Sequence, residues 1–320
     1  MVADAAADRQ ALAAAVETLR PHLIPDAAAT RLGAVAGAFP AGALADILEI
    51  RPGGTADLSR AWMAPAGTRA LAAAAPTLYP PLAPLLIHAA ERPKTVPVVW
   101  LERDLAPGAP ALPSVFVALP RPRLRGAALV AHVDEIARRL PVAPGAGETA
   151  KAVLGALPDT LTLSQIGALV SRQAALLWLV IYGVALAGLA ATLSGLGWRG
   201  PAATVHALLA ADGFAGHALR LHLDAGRGLQ PRLGLELPTL DLGPDAVRAA
   251  LAGLCPPAVA DAVAAIATPM RLPGGAPGVS VQRRLNHVKI GLDAVGRIEV
   301  KVYVSVLKIP AFLPSRPAHV

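Results

Sequence analysis

The sequence predicts an α+β fold of two related α/β halves, with mixed or antiparallel sheets built from hairpins and flanked by helices. Three observations carry that expectation. In residues 285–308, Val288, Ile290 and Leu292 alternate with His287 and Lys289, and Ile298, Val300, Val302, Val304 and Val306 alternate with Arg297, Glu299, Lys301, Tyr303 and Ser305. A period of two means strands with one apolar and one polar face, and Asp293-Ala294-Val295-Gly296 between them has the chemistry of a type I turn. The same device stands upstream: Leu219, Leu221 and Leu223 alternate with Arg220, His222 and Asp224, and Leu233, Leu235 and Leu237 with Arg232, Gly234 and Glu236, across a glycine-rich connection. Finally, 31 prolines and 29 glycines in 320 residues punctuate the chain into short elements rather than long rods.

In order along the chain, residues 5–20 make an amphipathic helix with Leu12, Ala15, Val16 and Leu19 on its apolar face, ended by Pro21 and Pro25. After a loop, residues 43–51 and 55–62 read as segments pairing across Pro52-Gly53-Gly54, although the first is equally readable as the start of a helix. Helices follow at 68–78 and 82–92, separated by Tyr79-Pro80-Pro81. Residues 96–105 and 113–120 are extended and apolar at both parities, which places them centrally with both faces covered. A helix at 129–140 leads into Pro-Val-Ala-Pro-Gly-Ala-Gly at 141–147, whose shift in composition marks a linker between a domain at 1–142 and another at 148–320.

A helix at 149–157 and an extended segment at 160–170 precede residues 174–198, twenty-five residues without a charge. That length suffices to span a bilayer. Yet Leu176 to Tyr182 is dense in β-formers, and Leu186, Leu189, Leu193 and Leu196 then repeat at helical spacing before Gly197 and Pro201, so a buried strand and a short helix are expected. Residues 202–211, 244–254 and 257–266 are helical, the last two opened by prolines suited to a first turn. Residues 271–278 form a loop before the final hairpin.

The net charge of +7 favours an acidic partner. Without a Lys/Arg run, interleaved aromatics or a recognisable motif, that partner is not a nucleic acid. The single cysteine, Cys255, excludes an intrachain disulfide and fits a reducing cytoplasm. No secretory signal or membrane association is expected. The eight histidines fall in no metal-ligand spacing, the phrase Gly-Ala-Gly-Glu-Thr-Ala-Lys at 145–151 lacks the ending of a phosphate loop, and no nucleophile elbow or dinucleotide fingerprint is present. No cofactor or metal is expected. A binding protein therefore stands ahead of an enzyme of standard type. The candidate peptide-contacting residues are Arg220, His222, Arg232, Glu236, His287, Lys289, Glu299, Lys301 and Tyr303, on the polar faces of the two hairpins, where the competing reading is a merely solvated face. Glu102 and Asp104 form a carboxylate pair at a strand end.

Several of these residues fall in an ordered set of landmarks: Trp100-Leu101-Glu102-Arg103-Asp104, Pro113-Ser114-Val115-Phe116, Ser171-Arg172, Leu196-Gly197-Trp198, Leu223-Asp224-Ala225-Gly226, Pro231 to Glu236, His287-Val288-Lys289 and Lys301-Val302-Tyr303. In that order they resemble the peptide-binding proteins of crocagin biosynthesis and their bacterial relatives, with Arg103 in place of an aromatic. The resemblance implies a protein that binds a ribosomally made precursor peptide, and the positive charge of the chain would draw in an acidic leader. The protein would guide conversion of that peptide to a pyrroloindoline product alongside other tailoring enzymes, with a homodimer left open. The alternative is a cyclase-like enzyme drawing its base from Glu299, His287 or Tyr303. An edge strand of the 217–237 hairpin would add the peptide to the sheet.

Overall fold

The computed structural model describes residues 5–52, 54–121, 123–172, 175–209, 217–239, 242–273 and 278–310. The hairpin recognised twice in the sequence occurs five times, each preceded by two helices. Helices α1 (Ala5–Leu19) and α2 (Asp26–Val35) lead into β1 (Ala45–Ile50) and β2 (Ala56–Met63). Next come α3 (Ala66–Leu78), α4 (Ala83–Glu91), β3 (Val98–Arg103) and β4 (Ser114–Ala118), then α5 (Gly126–Ala137), α6 (Ala146–Gly155), β5 (Thr162–Ala168) and β6 (Leu177–Ala185). The fourth unit is α7 (Leu189–Gly195), α8 (Ala202–Leu209), β7 (Ala218–Ala225) and β8 (Leu229–Pro238). The fifth has α9 (Pro244–Leu251), α10 (Pro257–Ala265), a short β9 (Met270–Leu272), and the long β10 (Val279–Leu292) and β11 (Ile298–Pro310).

The strands form one antiparallel sheet in the order β1 to β8, then β10 and β11, and β11 pairs back onto β1, so ten strands close a barrel with β9 attached to β10 outside the ring. This corrects the expectation of two related α/β halves with mixed or antiparallel sheets. The repeat is fivefold, and β4 pairs with β5 from Val115↔Ala168 to Ala118↔Gln165, joining strands from either side of residues 141–147 in one ring. Closure follows from the pattern already visible in the hairpins. Each has an aliphatic face that needs covering, and a ring of hairpins both presents all those faces outward to helices and removes the edges an open sheet exposes. Leu48, Ile50, Leu58, Val99, Leu101, Val115, Val117, Leu179, Ile181, Leu221, Leu235, Val288, Ile290, Val302 and Val304 form that outward face, packed against Leu12, Leu32, Leu71, Leu86, Val133, Val153, Leu189 and Val263 of the helices.

Proposed strand addition at the 217–237 hairpin fails with the open sheet. Strand β8 is flanked on both sides, by β7 and by β10. Pro231 is tolerated because pairing with β10 begins only at Leu233. The uncharged run behaves as its pattern predicts from Leu177 onward, as strand β6 and then helix α7, and among the described residues no helix is long and apolar enough to cross a membrane. Residues 173–174, 210–211 and 274–277 of the expected elements, and His319, lie outside the described residues. The sequence reading missed α2, in the stretch taken as a loop, and β9.

All five hairpins turn at one end of the barrel, the hairpin end, and the chain passes to its helix pairs at the other, the helix end. The last turn forms as its residues suggest: Asp293 accepts the Gly296 N–H at its carbonyl, and its carboxylate accepts the Val295 and Arg297 N–H groups, each at 2.9 Å.

Candidate functional site

Because side chains alternate across a strand, the residues opposite the aliphatic face point into the barrel. The register puts Glu49, Asp57, Glu102, Ser114, Phe116, Gly167, Trp178, His222, Gly234 and Lys289 on that inner face. All nine predicted site residues, Arg220, His222, Arg232, Glu236, His287, Lys289, Glu299, Lys301 and Tyr303, share this parity, so two polar hairpin faces expected to meet solvent or a peptide meet one another across a lumen. Glu299 and Arg232 stand nearest the hairpin end. Most of the others are buried or half-buried.

Glu49 is the hub of the hairpin end. Its carboxylate accepts Lys301 Nζ at 2.8 Å, Arg51 Nη2 at 2.7 Å, the Tyr303 hydroxyl, and Arg172 Nη2 at 3.4 Å. Burial pushes this carboxyl up, but Lys301, Arg172 and Arg51 outweigh it and hold Glu49 well below the usual carboxylate range. Arg172 sits in the β5–β6 turn and reaches Glu102 at 2.8 Å and Asp104 at 3.2 Å. Arg51 also bridges Asp57 and, at 3.1 Å, Glu299. Burial, with Glu49 close by, pushes the Glu102 carboxyl up to about 8 despite Arg172, so Glu102 is a protonated acid at neutral pH. The carboxylate pair expected at residues 102 and 104 is therefore split, one member neutral and the other held by Ser171 and Arg172. Arg103 points away, donating to the Ala111 carbonyl.

Further round the wall, Glu236 accepts from Arg220 and lies 2.9 Å from His222 Nε2 and 3.5 Å from His287 Nδ1. Burial, reinforced by Lys289, pushes the His222 imidazole down to about 3, and burial pushes His287 to about 4. Both rings are thus neutral at pH 7, and Arg220 is the permanently charged partner of Glu236. His287 stacks on Tyr303 with centroids 4.0 Å apart, and Arg232 pairs with Asp224.

An aromatic wall runs beside these charges. Phe116 packs on Trp178 at 4.6 Å, Trp178 meets the His222 ring edge-on at 4.7 Å, and Trp100 neighbours Phe116 in register. Lys289 lies across this wall, its Nζ 5.3 Å from the Trp178 ring centre. Among the described residues it makes no ion pair with a carboxylate. Burial and then Lys301 push its ammonium down to about 8. Two glycines make room: a Cβ on Gly234 would overlap Lys289 Cε, and one on Gly167 would overlap Phe116 and the Val115 carbonyl. Among the described residues no group of three or more His, Cys, Asp or Glu side chains could hold a metal ion. Cys255 lies outside the barrel wall in the α9–α10 connection, its thiol pushed up by burial, consistent with an inert side chain.

Sequence reasoning missed Glu49, Arg51, Asp57 and Trp178, and held Phe116 and Arg172 only as landmarks of the resemblance, with no place in the candidate site. Ile47, Glu49 and Arg51 do alternate with Leu48 and Ile50, but buried Asp46 on the outer face, paired with Arg60 above Phe39, disguises the strand.

The sequence matches no protein-family profile and no curated protein. Its structure is similar to prenyltransferases. The 5-dimethylallyltryptophan synthase of Streptomyces coelicolor matches with a TM-score of 0.52 at 14% identity, over 99% of this chain and 98% of that one. The apo form of the prenyltransferase PriB matches with a TM-score of 0.55 at 16% identity, over 97% of this chain and 99% of that one. AnaPT from Neosartorya fischeri matches at 0.52 and 12% identity, over 85% and 80%. The Streptomyces coelicolor enzyme has also been solved in complex with DMASPP and Trp. At these identities the likeness establishes the fold, a ring of helix-covered hairpins around a lumen.

Proposed function

We propose that the lumen is a chamber for an indole side chain and that the chain acts in natural-product biosynthesis on a tryptophan residue of a ribosomally made peptide. One observation carries this reading: the polar and aromatic landmarks Trp100, Glu102, Ser114, Phe116, Asp224, Glu236, His287, Lys289, Lys301 and Tyr303 of the peptide-binding resemblance fall on the inner face of one barrel, while its aliphatic landmarks such as Leu101 and Val288 face the helices. Two independent likenesses then meet on one chemistry. The resemblance implies a pyrroloindoline, the skeleton of a cyclised tryptophan, and two of the structural neighbours are dimethylallyltryptophan synthases by name. The Phe116–Trp178 wall offers a stacking surface for an indole, and Glu236 and His222 offer acceptors for its N–H.

Prenyl transfer is the rival, since Arg51, Arg172, Lys289 and Lys301 converge on one region. Charge matching weighs against it: Arg51, Arg172 and Lys301 are already paired with Glu49, Asp57, Asp104 and Glu299, which leaves Lys289 alone of the four without an ion pair among the described residues, whereas a diphosphate needs several cations free to meet it. The test is calorimetric titration with a tryptophan-containing peptide and its Trp→Ala counterpart, followed by incubation of the first with dimethylallyl diphosphate. Binding that requires the tryptophan, with no prenylated product by mass spectrometry, is expected. A prenylated peptide would replace this reading with transferase activity, and equal binding of both peptides would remove the indole from it.

A further inference from the structure

At the helix end the lumen is fringed by Arg121, Arg123 and Arg220, and only Arg220 has an ion-pair partner among the described residues. Tyr182, on the inner face of β6, is 40% exposed, and Met63, at the same end of β2, is 45% exposed, so this mouth is open to solvent. The Arg123 guanidinium lies 5.3 Å from the Tyr182 ring centre and that of Arg220 lies 6.0 Å from it. Arg220 has Glu236 as its partner. Arg123 makes only a hydrogen bond to the Leu163 carbonyl, at 3.2 Å, and Arg121 and Arg123 make no ion pair with a carboxylate among the described residues. Burial, and then the charges of Arg121 and Arg220, push the Arg123 guanidinium below its ordinary value.

Two guanidinium groups without a carboxylate partner among the described residues, one of them sharing the Tyr182 ring with the already paired Arg220, are an arrangement that an anion stabilises and water alone does not. The residues come from two elements, the β4–α5 connection and β7, so barrel closure brings them together. We infer that the helix-end mouth docks an acidic peptide segment, whose carboxylates pair with Arg121 and Arg123 beside Tyr182 while a neighbouring residue of the peptide enters the lumen. The inference rests on the reading of the lumen as a chamber for a peptide side chain, but its recognition chemistry is separate: carboxylate on guanidinium outside, ring on ring inside. A side chain entering here passes Arg220 and Glu236 to reach His222 and Trp178.

Two probes separate the elements. Hexaglutamate carries the charge without the ring, and N-acetyltryptophanamide carries the ring without the charge. Hexaglutamate is expected to bind the full chain at low salt, to weaken as salt rises, and to bind Arg123→Gln and Arg121→Gln each roughly threefold to tenfold more weakly. N-acetyltryptophanamide is expected to bind both variants as it binds the wild type. Should Arg123→Gln fold poorly, the exposed Arg121 keeps the test open. Hexaglutamate binding both variants as tightly as wild type, or failing to bind at low salt, would overturn the dock. Failure of N-acetyltryptophanamide alone would overturn the lumen reading and leave the dock standing.

Discussion

The two ends of the barrel use the same residue types to opposite effect. At the hairpin end Glu49, Asp57, Asp104 and Glu299 meet Arg51, Arg172 and Lys301 in one interlocked network, with the raised Glu102 carboxyl hydrogen-bonded to Arg172. At the helix end Arg121 and Arg123 make no ion pair with a carboxylate among the described residues, and Tyr182 and Met63 are exposed. Matched charges hold strands in place and have little capacity left for a ligand. Unmatched ones strain the rim slightly and are available. The difference teaches that a ring of hairpins can divide its labour axially, with structure at one end and recognition at the other, although every hairpin carries the same alternation.

Removing the hub should give the largest effect. Glu49→Ala strands Lys301, Arg51 and Arg172 together without their shared carboxylate, and breaking a buried network in this way costs about 3–5 kcal/mol, measurable by urea unfolding. A loss below about 1 kcal/mol would mean that the hairpin end is as loosely matched as the helix end. Next comes Gly167→Ala, where the new Cβ meets the Val115 carbonyl of a neighbouring strand rather than a movable side-chain tip. A cost of about 1–3 kcal/mol is expected.

The pH dependence sharpens the contrast. The Glu102 carboxyl, raised to about 8 in the folded chain from an ordinary value of 4.5, binds its proton more tightly folded than unfolded. Its contribution to stability is therefore complete below about pH 4.5 and is lost as pH rises through about 8. Between pH 7 and 9 the wild type should lose on the order of 1 kcal/mol that Glu102→Gln does not, and parallel unfolding curves would refute the neutral acid. On the acid side the sign reverses. His222 and His287, lowered to about 3 and about 4 from 6.5, contribute stability that is present above pH 6.5 and lost as pH falls through those values. The smallest effect on stability is expected at the open end, where Arg123→Gln should shift unfolding by less than about 0.5 kcal/mol while weakening acidic ligands.

How much of this was legible in the sequence depended on how far each hairpin kept its alternation clean. Strands β7, β8, β10 and β11 alternate leucine or valine with polar residues, and their inner faces could be read in full, from Arg220 to Tyr303. What alternation cannot tell is whether a polar face meets water or another polar face, because that is decided by closure, a pairing between β1 and β11 some 250 residues apart in sequence. In β1 and β2 the buried Asp46–Arg60 pair breaks the outer apolar face, and in β3 and β4 aromatic inner residues make both parities apolar. The hub Glu49 and the inward role of Phe116 were lost for these reasons, and that of Trp178 because β6 lies in an uncharged run that reads as buried on both faces. The alternate arginines at 121, 123 and 125 were visible, but only the fold sets Arg123 beside Tyr182.

The most direct test of the lumen as the binding chamber uses Lys289, an amine pushed down to about 8 that lies against Trp178. Its rate of acetylation can be followed by peptide mapping with and without the tryptophan-containing peptide, and Gly234→Ala, which crowds its side chain, calibrates how its position affects the rate. Occupation of the chamber predicts that the peptide slows acetylation of Lys289 in proportion to saturation while surface lysines such as Lys151 react unchanged. Saturating peptide that leaves the Lys289 rate untouched would contradict the account, since the ligand would then be bound somewhere other than the lumen.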